Sequence, residues 1–508
     1  MTSERKVGSV TYRDVSGEYF EQRGLRRHAG AWMLWALGVA AVISGEFSGW
    51  NFGIGAGGFG GLLIATIFIT IMYFGLCYSI AEMSPAMPHT GGAYSFARSA
   101  MGPWGGFITG LAENIEYVVA PATVAFFAGF YGQSVIETLF KVTIPQPVIW
   151  VLLYVIFVGL NIMGIEATMK FSIVICFLSL AVLVFFYVLA IPKFDASLLT
   201  NIPPEGNGTP FLPFGVGGIF KAIPYAIWFY LAIEELPLAA EESMDPKRDV
   251  PRATIWGLVT LVVAALGVLF LNPAVNGGAE VVGASGEPLL EGFRAVLGSE
   301  TSAAILGLFA LTGLIASFHT VIYAYGRNIY SLSRAGYFPS WMSKTHGTRK
   351  TPHVALLLGG LVGLGLAFWL GSQYDAETNT YTGTGQALLA MAVFGAVISY
   401  AMQMQSFITL RRKFPNIARP YRSPWGVGGA AIAGILALVS LVSLFLDAAY
   451  RPAVIGIAIW FGVGILYFAI SGRKRLVLSP EEEFAMTKGE HGHPETEGYG
   501  TTHVADTE

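Results

Sequence analysis

The sequence predicts an all-α polytopic membrane protein of about twelve transmembrane helices, built as a 5+5 inverted repeat with two further spans. Three observations carry that expectation. Only 12% of the 508 residues are charged, about half the share of a soluble domain. Apolar runs such as GGLLIATIFITIMYFGLCYSIA and FSIVICFLSLAVLVFFYVLAIP recur along the chain, each long enough to cross a bilayer core of about 30 Å as a helix. Two spans, the first and the sixth, are interrupted by polar residues, glycine or proline, and lie five spans apart. Paired interruptions of this kind mark a binding site near the membrane midplane in transporters built from inverted repeats.

A polar N-terminal tail occupies residues 1–30. The spans then fall at 31–57, 59–82, 104–132, 146–164, 167–191, 214–240, 253–274, 302–333, 353–371, 384–410, 427–447 and 452–471. The first repeat is 31–192, the second 214–410, the two added helices 427–471, and the transmembrane domain as a whole 31–471. The apolar run from Ala31 is followed by many others, so it reads as a span and not as a cleaved signal. Residues 472–508 are rich in Glu, Gly, Thr and His and are expected to be a disordered tail. Its histidines His491, His493 and His503 lack metal-site spacing. Cys77 and Cys176 fall inside apolar runs and imply no disulfide framework. A net charge of −3 gives no basic surface for nucleic acid.

One set of loops holds the basic stretches QRGLRRH, DPKRDVPR, SKTHGTRK, LRRKFPNIARPYR and GRKR. The other holds Lys141, Lys193, Arg294 and Arg451 beside acidic stretches. The positive-inside rule then places both termini in the cytoplasm, in agreement with an even number of spans.

Five carboxylates fall inside spans: Glu46, Glu113, Glu116, Glu234 and Glu235. Insertion scales charge about 2.5–3.5 kcal/mol for each acidic residue facing lipid. These side chains are therefore expected to face a wet cavity, to pair in protonated form, or to bind a cation. Lys221 is the basic residue clearly within the sixth span, so a cationic ligand would correct the imbalance. Glu46 sits among glycines at a helix break, aimed where freed backbone groups also point. Glu113, Glu116 and Tyr117 share one helix face, where a purely structural hydrogen-bond network is the alternative. Glu234 or Glu235 could instead serve backbone donors freed at the second break. Trp228, shortly before Glu234, suits an ammonium group through cation–π attraction, whereas Trp50 reads as packing or an interface anchor. Ser44, Tyr117 and Tyr230 are candidate partners for a substrate hydroxyl. His319 reads as a core or gate residue. No HExxH, GxSxG or P-loop pattern suggests an enzyme, and the tails are short for a signalling domain, which disfavours an amine sensor.

The stretches GVAAVISGEFSGW, AEESMDPKRDVPRATI and GRNIYSLSRAGYFP resemble motifs of the first helix, the sixth-to-seventh connection and the end of the eighth helix in the amino acid–polyamine–organocation superfamily. The resemblance covers roughly Gly30 to Gly472 and implies the leucine-transporter fold, a fold that also serves as a standard example of inverted repeats. The usual first-helix pattern, Gly-Ser/Ala-Gly-Ile, here reads Ser44-Gly45-Glu46-Phe47. In amino acid permeases that bare backbone receives a substrate carboxylate, and a glutamate in its place would repel one. SGEFSGWNFG, PHTGGAYSFARSAMGPWGGF and ENIEYVVAPA resemble the bacterial ethanolamine permease branch. The resemblance implies uptake of a small amine without a carboxylate, most specifically ethanolamine, across the bacterial cytoplasmic membrane; a permease for another amine or a cationic amino acid is the alternative.

Position by position, Trp228, Leu231 and Glu234 match site and gate positions of the sixth helix, and Tyr117 one of the third. With Ser44, Gly45, Glu46, Phe47, Glu116 and Tyr230 they make up the expected substrate site. Ser179 stands where some relatives carry a lysine whose charge replaces sodium. Coupling is then expected through a proton on Glu113, with sodium at Ser317 and Thr320 the competing idea. No other cofactor or metal is expected, and the oligomeric state is left open.

Overall fold

The computed structural model describes residues 4–13, 15–275, 277–375, 380–381, 383–446 and 450–489. Among these, eleven helices are long and apolar enough to cross a membrane, and the first span is a twelfth assembled from shorter pieces. Span 1 is the helix Ala31–Val42, a turn Ser44–Phe47, an extended Ser48 and a left-handed Gly49 (φ 95°). The chain resumes in the helix Phe52–Ala86, which kinks at Gly58 (φ 72°) and continues as span 2. A Cβ on Gly58 would lie 2.3 Å from the Pro213 ring, so that corner requires glycine.

Span 3 (Ala93–Phe140) is kinked at Gly102; span 4 is Gln146–Met163 and span 5 Ile165–Ala190. Span 6 is the helix Gly215–Trp228 followed, after a break, by a 3-10 helix Ile233–Glu242. Span 7 is Pro246–Leu271, span 8 Glu300–Arg334 and span 9 His353–Ser372. Spans 10, 11 and 12 are Gly383–Lys413, Gly426–Leu446 and Arg451–Ile470. Two short helices between spans 7 and 8, Gly278–Ala284 and Pro288–Leu297, were not expected. They are too short and too polar to register as apolar spans.

Spans 3 and 12 mark the extremes of position. The apolar window of span 3 is 78% buried and that of span 12 only 17%, so span 3 runs through the middle and span 12 along the lipid-facing rim. Exposed apolar side chains such as Val155, Val184, Leu361 and Val463 cover the outside, as a lipid solvent permits.

The first and last described segments of the chain meet at one face of the bundle. Strands β1 (Glu4–Val7) and β2 (Val10–Arg13) form an antiparallel hairpin, and β3 (Leu476–Val477) joins β2 in parallel, pairing Tyr12 with Leu476. A helix, Pro480–Thr487, follows. The expectation of disorder from residue 472 is thus corrected as far as Gly489, because Leu476, Val477 and Phe484 are buried and give this stretch an apolar anchor. His491, His493 and His503 lie outside the described residues. At the same face the start of span 1 is bonded to the end of span 6 by main-chain atoms: His28 N and Ala29 N donate to Glu242 O (2.8 and 2.9 Å), and Met244 N to Ala29 O (2.8 Å).

Candidate functional site

The two breaks lie against each other. A Cβ on Gly45 would stand 2.3 Å from the carbonyl oxygen of Trp228, and one on Gly49 would stand 2.5 Å from Trp228 Nε1. Glycine at both positions is what lets the first break seat on the second. The first break falls at residues 48–51, just beyond the Glu46 position where the sequence suggests it, because Ser44–Phe47 keeps one helical turn. The second falls at 229–232 and ends on Ala232 at φ 83°, a left-handed conformation that costs a residue with a Cβ roughly 1 kcal/mol. Beyond it, Pro237 lies within ten residues of 3-10 helix, a run far longer than the usual three or four.

All five intramembrane carboxylates are buried. Among the described residues, neither oxygen of Glu46, Glu116, Glu234 or Glu235 has a well-formed hydrogen bond. The structure gathers them into two groups. Glu116 of span 3 faces Glu234 of span 6, with Glu113 and Glu235 within electrostatic reach. The Tyr400 hydroxyl stands beside Glu234. Glu46 stands apart, and the ionisable side chains that feel its charge are Tyr187 and Tyr230. Between the groups lies an aromatic pair, Tyr73 and Tyr230, with ring centroids 5.2 Å apart. Their hydroxyls are tied sideways, Tyr230 to Thr70 (2.8 Å) and Tyr73 to Tyr400 (3.0 Å). Tyr230 is within electrostatic reach of Glu46, and Tyr73 within reach of Glu234 and Glu116, so the aromatic pair links the surroundings of the two groups.

The other expected residues distribute as follows. Ser44, Gly45 and Leu231 are buried at the breaks, and Trp228 is half-buried there. Phe47 packs its ring on Gly313 of span 8 and its carbonyl accepts from Tyr131 (2.9 Å). The Tyr117 hydroxyl is buried within reach of Glu113 and Glu234. Glu113 accepts from Asn328 at 3.4 Å. Ser179 donates to Ile175 O of its own helix and lies 3.4 Å from Thr312 of span 8. Ser317 donates to Ala41 O of span 1, and Thr320 to Ala316 O at 2.8 Å. Lys221 is exposed and makes no ion pair with a carboxylate among the described residues. His319 is a core residue held by Asn161 (3.1 Å). Trp50 is buried on Phe229, centroids 5.5 Å apart, and so is packing rather than an interface anchor.

Sequence reasoning missed the buried ion pairs at the terminal face. Arg327 donates from Nη2 and Nε to Glu242 (2.9 and 3.1 Å), and Arg334 from both Nη atoms to Glu241 (2.7 and 3.0 Å). Glu82 of span 2 likewise takes Arg411 (2.5 Å) and Arg419 (3.1 Å). A signal was present: Arg327 and Arg334 are seven residues apart, two helical turns, and so share one face of span 8. Their carboxylate partners lie some 85–93 positions away, and no local pattern links them.

Chemically, the centre offers a buried, acidic and aromatic interior in which Glu46, Glu116 and Glu234 have no basic partner among the described residues. Such a place is neutralised by protons or by a bound cation. It is closed to solvent at both faces, since none of these three carboxylates is more than 3% exposed.

Comparison with known proteins agrees with this architecture. The chain is 29% identical over 430 residues to an uncharacterized transporter of Rhizobium meliloti, covering 83% of this chain and 87% of that protein. It is 24% identical over 480 residues to a branched-chain amino acid permease of Bacillus subtilis, covering 90% and 96%. It is 26% identical over 435 residues to the gamma-aminobutyric acid permease of Escherichia coli, covering 82% and 87%. The family model described as amino acid permease matches residues 30–470, the same stretch that holds all twelve spans and both breaks, and the chain belongs to that family of transporters.

Proposed function

We propose that this permease takes up a small amine lacking a carboxylate, with ethanolamine the leading candidate, by alternating access across a bacterial cytoplasmic membrane with both termini inside. The observation that supports it best is Glu46, a buried carboxylate with no hydrogen-bond partner among the described residues, at the break of span 1. An ammonium there supplies the missing charge and donors. The carbonyl of Trp228 approaches the same break and could accept a further N–H bond. The two inverted five-span units then rock about the seated breaks.

Two unit charges 4 Å apart attract by about 4 kcal/mol at an effective dielectric of 20. Desolvation offsets part of this, leaving roughly 1.5–3 kcal/mol, as for other charged hydrogen bonds, or about 10- to 150-fold in affinity. Glu46→Gln should weaken ethanolamine binding by that factor in a folded protein. Serine, with its own carboxylate, should compete far less well than ethanolamine against labelled ethanolamine. Equal competition by serine, or normal binding by a stable Glu46→Gln variant, would overturn the reading.

The printed names of the branched-chain and gamma-aminobutyric acid permeases favour a second reading, a substrate bearing both an amine and a carboxylate. The serine arm of the same competition decides between the two. We place energy coupling at Glu113 and assign it to a proton. Glu113 is buried, with Asn328 and Tyr117 as polar neighbours; the hydroxyls of Ser317 and Thr320, the sodium candidates, donate to backbone carbonyls and keep their oxygen lone pairs for a cation, so imposed ion gradients decide between the two.

A further inference from the structure

We propose that the C-terminal helix Pro480–Thr487 is a latch that holds the terminal end of the transport path shut. Acidic residues in a polar tail ordinarily stay in water. Here Glu481 and Glu482 are 1% and 0% exposed; Glu481 is paired with span 8, and Glu482 is built into a set of partners on several elements. Glu481 accepts from Arg334 Nη2 at 2.5 Å, and the same guanidinium holds Glu241 at 2.7 and 3.0 Å. Glu482 accepts from Arg98 Nε (2.6 Å) at the entry to span 3, and from Tyr12 (2.6 Å), Tyr337 (2.9 Å) and Tyr94 (3.3 Å). The helix is delivered to this place by β3, whose Val477 N donates to Ala335 O at the end of span 8 (2.9 Å). Phe484 then packs on His89, ring centroids 5.3 Å apart.

Glu241 connects these contacts to the breaks. It is the penultimate residue of the 3-10 half of span 6, and its neighbour Glu242 is bonded through its carbonyl to the start of span 1. Anything that holds Glu241 against Arg334 therefore holds the terminal halves of both broken helices against span 8. The latch acts in two ways. Glu481 gives Arg334 a second carboxylate, fixing the guanidinium from the tail side. The helix also covers Arg334, whose side chain is 0% exposed, and a pair shielded from water attracts far more strongly than one that water and salt can screen. Displacing the helix would expose the Arg334–Glu241 pair and loosen the end of span 6. The latch depends on the transport reading for its purpose but not on which amine is carried.

The chain's two cysteines supply a test that needs no substrate. Cys77 lies in span 2 close to Glu234, and Cys176 in span 5; both are buried. Opening the terminal end should bare Cys77 alone, while unfolding should bare both. Maleimide labelling is followed in vesicles with the terminal face outward, for the full chain, for a chain ending at Ser479, and for the isosteric Glu481→Gln/Glu482→Gln variant. We expect Cys77 to label about tenfold faster in both altered proteins, the factor for loss of one modest interaction, with Cys176 unchanged. An unchanged Cys77 rate overturns the latch. So does equal acceleration of both thiols in both variants, which would make the helix a structural brace. A failed latch leaves the ethanolamine competition untouched, and a failed competition leaves the labelling result standing.

Discussion

Replacing Glu242 by glutamine keeps the shape of the side chain and removes its charge, at the point where span 6 meets span 8. Its partner Arg327 and Glu242 itself have side chains 0% and 1% exposed. Glu242 takes two donors of the guanidinium and the Tyr323 hydroxyl, while Arg327 Nη1 has no partner among the described residues. Removing one member of a buried pair costs about 3–5 kcal/mol, because the other charge is left uncompensated. Two features lower the figure here. The guanidinium lies 3.6 Å over the Tyr323 ring, worth about 1–2 kcal/mol when desolvated, and the charge of Glu235 is within reach of it. The expected loss is therefore near the low end, about 3 kcal/mol. An unfolding entropy of about 2.1 cal/mol/K per residue converts 1 kcal/mol into about 1 °C for a chain of this size, so Tm should fall by about 3 °C. The assay is thermal unfolding in detergent at one fixed scan rate, for Glu242→Gln, Arg327→Met and the double variant Arg327→Met/Glu242→Met. Replacing both charges with apolar groups removes the uncompensated one, so the double variant should be more stable than either single. A Glu242→Gln protein within 1 °C of the native one, or a double variant as unstable as the sum of the singles, would refute the claim that this pair holds the two spans together.

Two further outcomes follow from titratable groups. Burial raises Glu287, in the loop before the short helix Pro288–Leu297, from 4.5 to about 7 against the opposing pull of Arg294 and Ser134. The folded protein then holds a proton that the unfolded chain releases, so stability should fall as pH rises from about 4.5 to 7, by at most about 3 kcal/mol; Glu287→Gln should flatten this part of a Tm-against-pH curve, and an unchanged slope would remove Glu287 as its source. Uptake of labelled ethanolamine into proteoliposomes should respond to an imposed pH gradient and lose that response in Glu113→Gln; a response to a sodium gradient alone would return coupling to Ser317 and Thr320.

Hydropathy made the spans legible because a lipid-facing helix must be apolar over a fixed length, whatever it packs against. The expected limits of span 4, 146–164, and the observed Gln146–Met163 differ by one residue for this reason. The breaks were legible to within a few positions, since Gly45 and Gly49 in span 1 and Pro237 in span 6 are costly in an uninterrupted helix. What faces what was not. Glu46 and Glu234 both read as site carboxylates, but neither the retained turn of helix at Ser44–Phe47 nor the Tyr230–Tyr73 contact between their surroundings was legible. A single turn is too short to leave a periodic trace. The tail failed for a related reason. Glu481 and Glu482 look like solvated charges until Arg334 and Arg98, 147 and 384 positions away, are brought beside them.

The joint between span 1 and span 6 at residues 28–29 and 242–244 is made of amide and carbonyl groups. Every residue except proline carries the same two groups, so this joint asks almost nothing of the side chains it passes through. Sequences could drift freely at these positions while the two broken helices stayed yoked. The coupled movement of the two helices would then be inherited as a shape and leave little mark in the letters, which is one way proteins only a quarter identical can share a machine.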